Sequence, residues 1–275
     1  MNYRHGFHAG NFADVVKHVV LVAILRHLRR KDKPFCVIDT HAGRGLYDLT
    51  SEAARRTGEF AGGIGRFRDI AIDSLPAALG DYLSIVRSFG DSAYPGSPLI
   101  AARLLREGDR LVAIERQEEE AAALAQALSD LPHTRVICAD GYARLPALLP
   151  PPERRGLVLI DPPYEAADEF ARLGALVAAA RRRFATGIYV VWFPIKSSAS
   201  ADALAGELMA SAGTEMLRIV TDVGKEAGSE RLSAAGLLVL NPPYKLDEEM
   251  RTAAAVLAPR LGKHAAISIM RAGAQ

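Results

Sequence analysis

The apolar run Leu157-Val158-Leu159-Ile160 is cut off by Asp161-Pro162-Pro163-Tyr164, and no other stretch of this 275-residue chain constrains its fold as tightly. Four apolar residues in a row read as a buried strand, and paired prolines cannot continue it. Asp161 is thereby carried to the carboxyl end of a strand, where open α/β sheets hold their ligands. The turn suits the grip of an exocyclic amine on a flat heterocycle. Asp161 accepts from the amine, the carbonyl of Pro162 accepts as well, and Tyr164 offers a face for stacking.

The rest of the chain alternates in the same way. Asn11, with Asp14 three residues on, reads as the cap of a helix whose apolar positions recur from Phe12 to Ile24 and which runs to Arg30. Strands are expected at Phe35 to Asp39, Arg110 to Glu115, Arg135 to Ala139, Leu157 to Ile160 and Gly187 to Phe193. Helices are expected at Glu118 to Leu128 and Asp168 to Arg182. Strand alternating with helix predicts a parallel, doubly wound α/β sheet. Thr214 to Val223 and Ala235 to Leu240 read as its antiparallel end, followed by a helix from Leu246 to Leu261 and a strand from Ala265 to Met270. One spacing is abnormal. About 70 residues separate Asp39 from Leu111, where a strand-helix-strand unit needs only ~30. The excess is read as an inserted helical subdomain at 47–94, splitting a single-domain core into 1–46 and 95–275. The next helix is expected to start with Ser97 as cap and Pro98 in the first turn.

Apolar residues at 49% and charged residues at 24% describe a soluble globular chain. Val19 to Leu25 is too short to span a bilayer, and the N-terminus lacks a signal-peptide core. Cys36 and Cys138 fall in expected buried strands, so reduced thiols, a cytoplasmic protein and no zinc site are expected. The net charge of +2 is uneven: residues 1–33 carry +5 and the remainder −3. That cluster, with Arg154-Arg155 and Arg181-Arg182-Arg183, offers patches for a phosphate backbone; the plainer reading is dipole-compensating helix ends.

Four strand ends carry the candidate chemistry. Gly43 and Gly45, after His41, form a turn that lets a ligand approach the backbone. Glu115 is the acid type that grips ribose hydroxyls, and Asp140-Gly141 places a carboxylate where an adenine amine can be held. Asp161 completes the row. Taken singly, the glycines mark an ordinary turn, Glu115 a solvated strand end, and Asp140 a helix cap. The pattern argues against a nicotinamide dehydrogenase: Asp48 stands where its third Gly belongs, and its acid lies ~20 residues on rather than about 70. A second turn, Asn241-Pro242-Pro243-Tyr244, also follows an apolar run. It comes two strands too late in the order to hold the site, so catalysis is assigned to Asp161.

The chain resembles one family from end to end. Tyr3-Arg4-His5-Gly6-Phe7-His8-Ala9-Gly10-Asn11, Asp39-Thr40-His41-Ala42-Gly43, Tyr94-Pro95-Gly96-Ser97-Pro98, Ala139-Asp140-Gly141, Asp161-Pro162-Pro163-Tyr164 and Asn241-Pro242-Pro243 are similar to the RlmJ family. These are bacterial 23S ribosomal RNA adenine-N6 methyltransferases. The resemblance implies a Rossmann-like class I S-adenosylmethionine-dependent methyltransferase fold with an inserted helical subdomain. It implies S-adenosylmethionine as cofactor, S-adenosylhomocysteine as product, and no metal. Cofactor contacts fall on His18, His41, Gly43, Ser97, Glu115, Asp140, Gly141 and Asp161, and catalysis on Asp161, Pro162 and Tyr164. Tyr3 and Lys17 fall at positions linked to the RNA. The implied partner is naked or protein-poor 23S RNA, met by a monomer. A DNA adenine-N6 methyltransferase shares the same catalytic turn, and only the family-specific blocks favour RNA.

Overall fold

The computed structural model describes residues 5–166, 168–195, 202, 206, 208, 215–225 and 231–273. Along the chain run α1 (Phe12–Arg29), β1 (Cys36–Asp39), β2 (Leu46–Asp48), α2 (Glu52–Thr57), α3 (Glu59–Gly62), α4 (Ala77–Arg87), β3 (Ala93–Pro95) and α5 (Ser97–Ala102). There follow β4 (Arg110–Glu115), α6 (Glu118–Ala127), β5 (Thr134–Cys138), α7 (Gly141–Arg144), β6 (Gly156–Ile160) and α8 (Glu169–Arg183). The final elements are β7 (Ile188–Pro194), β8 (Met216–Asp222), β9 (Ala234–Leu240), α9 (Leu246–Leu261) and β10 (Ala266–Ala272).

Eight strands form one sheet in the order β10-β8-β9-β7-β6-β1-β4-β5. β5, β4, β1, β6 and β7 pair in parallel; β9 runs antiparallel to both β7 and β8, and β10 antiparallel to β8. Strand residues alternate between two cores, as the pleat requires. Val37, Leu111, Leu157 and Leu159 join the cluster beneath α1, whereas Ile38, Val112, Val158 and Ile160 join the one beneath α8. Burial on both faces explains why these strands read as unbroken apolar runs.

α1 is buried along most of its length, which its near-continuous Val, Leu and Ile content demands. Its start is fixed as expected: the Asn11 side chain accepts from the backbone N–H groups of Ala13 and Asp14, both at 3.0 Å. The segment between β1 and β4 holds α2, α3 and α4, but it also holds two strands that no periodicity signalled. β2 and β3 pair antiparallel, Leu46 opposite Pro95 and Asp48 opposite Ala93, so they pinch the two ends of the segment together. Leu79, Tyr82 and Leu83 of α4 lie in the same cluster as α1 rather than in a core of their own.

Two expectations fail locally. Cys138 is exposed while Cys36 is buried, because β5 is the edge strand of the sheet and only partly covered. Ser97 does not cap α5; Gly96 takes the cap position, and the Ser97 hydroxyl turns to Asp39 instead.

Candidate active site

The parallel pairing of β1, β4, β5 and β6 brings the residues at their carboxyl ends to one edge of the sheet. A cavity of about 420 Å³ opens there, within the ~300–1,000 Å³ range of ligand pockets. His18, His41, Gly43, Ser97, Glu115, Asp140, Gly141 and Asp161 all line it.

The turn after β1 is built on close approach. Gly43 has φ +62°, and a Cβ there would lie 2.2 Å from the Tyr47 hydroxyl. Glu115 at the end of β4 accepts from the Gly43 N–H at 2.9 Å and from the Gln117 N–H at 2.8 Å, tying the turn to the neighbouring strand. Asp140 accepts from the Ala143 N–H at 3.1 Å, so the helix-cap reading is what is observed, on a residue that also faces the cavity. Gly141 leaves room for the preceding turn: a Cβ would lie 2.2 Å from the Thr40 carbonyl oxygen.

Asp39 behind this wall and His41 in it are displaced from their ordinary pKa values. Burial pushes the Asp39 carboxyl up to about 6, with Asp161 adding to the rise, against the Ser97 hydroxyl that donates to it at 2.6 Å. Burial lowers His41 to about 4 despite the nearby carboxylates, so its ring is neutral at pH 7. The Thr40 hydroxyl lies between two partners, 2.8 Å from His41 Nδ1 and 3.0 Å from the Leu159 carbonyl oxygen.

Asp161 is held from the opposite side by α1. Lys17 donates from Nζ to Asp161 Oδ2 at 2.5 Å and to Asp14 Oδ1 at 2.7 Å, while Asp14 Oδ2 accepts from the Gly10 N–H at 2.9 Å. Lys17 is 4% exposed and Asp14 is 2% exposed. Burial by itself would lower the ammonium's pKa, but the two carboxylates reverse it and hold Lys17 charged. Lys17 lines the cavity and clamps one oxygen of the strand-end carboxylate. The Asp14–Lys17 spacing on one helix face was the available signal, and nothing in the sequence pointed from there to Asp161.

Pro162 and Pro163 line the cavity, but Tyr164 does not. Its φ of +53° turns the chain back on itself. The hydroxyl donates to the Trp192 carbonyl at 2.5 Å, and the ring packs against Phe170 and Trp192 with centroids 5.2 and 5.8 Å away. These contacts are tilted and edge-on, Tyr164 is half-buried, and it buttresses the turn. Tyr142 and Glu169 were missed by the sequence reading. Tyr142 lies edge-on to His41 and donates to Glu169 Oε1 at 2.5 Å on the cavity wall.

The remaining candidates lie elsewhere. Tyr3 falls outside the described residues. Asn241 follows β9, which is antiparallel to β7, so its turn sits at the opposite edge of the sheet, where its side-chain amide donates to the carbonyls of Ala185 and Gly187. The basic runs Arg29 to Lys33, Arg154-Arg155 and Arg181 to Arg183 are at that far edge too. Arg155 and Arg106 donate to carbonyls at the end of α1, and Arg183 donates to the Leu149 carbonyl. Among the described residues no group of His, Cys, Asp and Glu could hold a metal ion, and no helix is long and apolar enough to cross a membrane.

The strand order around β1, the antiparallel β9 inserted between β7 and β8, and the acids at successive strand ends define a class I S-adenosylmethionine-dependent methyltransferase. A family model described as "RsmJ: Ribosomal RNA large subunit methyltransferase D, RlmJ" matches residues 32–270. The chain belongs to this RlmJ family. It is 43% identical to Ribosomal RNA large subunit methyltransferase J of Escherichia coli (strain K12), covering 91% of this chain and 90% of the relative. It is 39% identical to the protein of the same name in Haemophilus influenzae, with the same coverage. A crystal structure from Legionella pneumophila str. Philadelphia 1 superposes with a TM-score of 0.86 at 34% identity, covering 98% of this chain and 99% of that one.

Proposed function

We propose that this protein transfers a methyl group from S-adenosylmethionine to the exocyclic N6 of one adenine in 23S ribosomal RNA. The observation that carries the reading is Asp161, held on one oxygen by Lys17 at the edge of a cavity of nucleoside size. Membership of the RlmJ family supports ribosomal RNA of the large subunit as the substrate. We read the chain as a single methyltransferase domain with 47–94 as an insertion, acting as a cytoplasmic monomer, without a metal, on protein-poor RNA.

The cofactor supplies an electrophilic methyl on a sulfonium. The cavity residues fit it by chemistry: Glu115 suits the ribose hydroxyls, Asp140 the adenine amine, and Gly43 and Gly141 leave the backbone bare for close approach. On the acceptor side the adenine N6 lone pair is delocalised into the ring, making the amine a poor nucleophile. Asp161 and the Pro162 carbonyl accept its two N–H bonds and favour a pyramidal nitrogen. With Oδ2 engaged by the Lys17 ammonium, Asp161 acts through Oδ1 as an ionised acceptor of fixed orientation. The rate then comes chiefly from positioning two bound reactants. A stacked base cannot reach this edge, so the adenine must be unpaired or flipped.

Labelled S-adenosylmethionine offered with unmodified 23S RNA, with DNA and with protein tests the reading. Label in N6-methyladenosine from RNA digests is expected. Preferential labelling of DNA would replace it with the DNA-methyltransferase alternative.

A further inference from the structure

We infer that the second proline turn, Asn241-Pro242-Pro243-Tyr244, and the basic run at the end of α1 form a second RNA contact, at the edge of the sheet opposite the cavity. There Tyr244 stacks on an unpaired base, and the exposed cations beside it hold phosphodiesters of the same RNA. The inference rests on the reading of ribosomal RNA as the substrate, and it gives the turn a role that catalysis leaves open.

The need for such a contact comes from the cavity itself. Six carboxylates line it against three cations, Lys17, Arg116 and Arg172. Lys17 is held by Asp14 and Asp161, Arg116 lies 3.6 Å from Asp140, and Arg172 lies 4.0 Å from Glu169. A polyanion gains little attraction at this mouth, yet phosphate contacts supply much of the affinity for nucleic acid.

The opposite edge is built the other way. Arg29, Arg30, Lys31 and Lys33 are all exposed at the end of α1, with Asp32 as the one acid in the run. None of the four cations has a carboxylate partner among the described residues. The ordinary reason for basic residues at a helix end is to answer its bare carbonyls. Here other side chains do that: Arg155 donates to the carbonyls of Leu28 and Lys33, and Arg106 to those of Arg29 and Lys31. The exposed four are left over.

The turn is anchored beside this run. Asn241 donates to the carbonyls of Ala185 and Gly187 on one side. On the other, Glu249 in the first turn of α9 lies 4.0 Å from Arg26, one helical turn before Arg30. The start of α9 is thereby set against the end of α1. Pro242 and Pro243 are buried, and left-handed residues at Asn241 and Lys245, with φ +53° and +62°, bracket the turn. Tyr244 is nonetheless 75% exposed, with the Lys245 ammonium 5.6 Å from its ring centre. Tyr164, at the same place in the catalytic turn, packs on Phe170 and Trp192 instead. An exposed aromatic face beside unpaired cations is the combination that holds single-stranded RNA without reading its sequence.

The test is filter binding of full-length unmodified 23S RNA, and of a short hairpin cut from it that is still methylated, across a range of salt. Tyr244→Ala should weaken binding of the long RNA about fivefold or more, and Tyr244→Phe, which keeps the ring, should restore it. The double variant Arg30→Gln/Lys31→Gln should lower the slope of log Kd against log salt by about one to two. The hairpin, held at the cavity, should lose far less in each case. Unchanged affinity for the long RNA in Tyr244→Ala, an unchanged slope in the double variant, or a loss of equal size on the hairpin overturns the inference. A loss in Tyr244→Phe as large as in Tyr244→Ala overturns the stacking. A wild type that methylates no RNA overturns the substrate reading instead, while binding of 23S RNA to wild type and variants still decides the surface.

Discussion

Asp161 and Lys17 stand 144 residues apart in the chain and 2.5 Å apart in space, and what each does depends on the other. Asp161→Ala removes the amine acceptor but leaves the cofactor wall intact. Methylation should fall by about 10²–10³ or more, with cofactor affinity measured by calorimetry nearly unchanged. Retained turnover would reassign the catalytic turn. Lys17→Met strands two carboxylates, one of them deeply buried, and should destabilise the fold by about 3–5 kcal/mol in urea titration. Since its ammonium faces inward, the salt dependence of RNA binding should keep the wild-type slope; a slope reduced by about one would make Lys17 a phosphate contact after all. His41 supplies a pH dependence whose sign is fixed. With a folded pKa of about 4, below its ordinary 6.5, its contribution to stability is full above pH 6.5 and is lost as pH falls toward 4. His41→Gln should flatten the urea-midpoint profile across that window.

At the scale of elements, strand direction separates two turns of nearly the same composition. β6 is parallel to β1 and delivers Asp161-Pro162-Pro163-Tyr164 to the cavity, whereas β9 is antiparallel and delivers Asn241-Pro242-Pro243-Tyr244 to the far edge. Asn241 adopts φ +53°, a conformation Asn tolerates, and its amide bonds two carbonyls before β7. Asn241→Ala should therefore cost about 1–2 kcal/mol of stability and leave kcat per folded molecule unchanged. A thermal melt run beside single-turnover methylation distinguishes that outcome from a catalytic role. The caps at Asn11 and Asp140 were legible, because each acts on neighbours two or three residues away, whereas Ser97 turned to a distant carboxylate instead. β2 and β3 were not legible, since three-residue strands carry no periodicity.

At the scale of the molecule, the runs of consecutive basic residues are set apart from the chemistry, although Lys17, Arg116 and Arg172 line the cavity. The basic clusters around Arg29 to Lys33, Arg154-Arg155 and Arg181 to Arg183 gather at the amino edge of the parallel strands, away from the cavity. Reversing Arg182 and Arg183 to Glu should leave methylation of a short RNA hairpin within about twofold, since that edge lies a full strand length, ~15 Å or more, from Asp161. A large loss on the hairpin would place the hairpin itself across the far edge.

The pattern of residues by itself determined the alternation of strand and helix, the row of acids at successive strand ends, and the family to which the chain belongs. These are matters of local period and chain order, which a sequence records directly. Packing alone decided that Lys17 clamps Asp161, that Tyr164 turns inward while Tyr244 stays exposed, and that Cys138 lies on an exposed edge. Each of those depends on which distant side chains share a buried volume, and that is settled only when the helices close over the sheet.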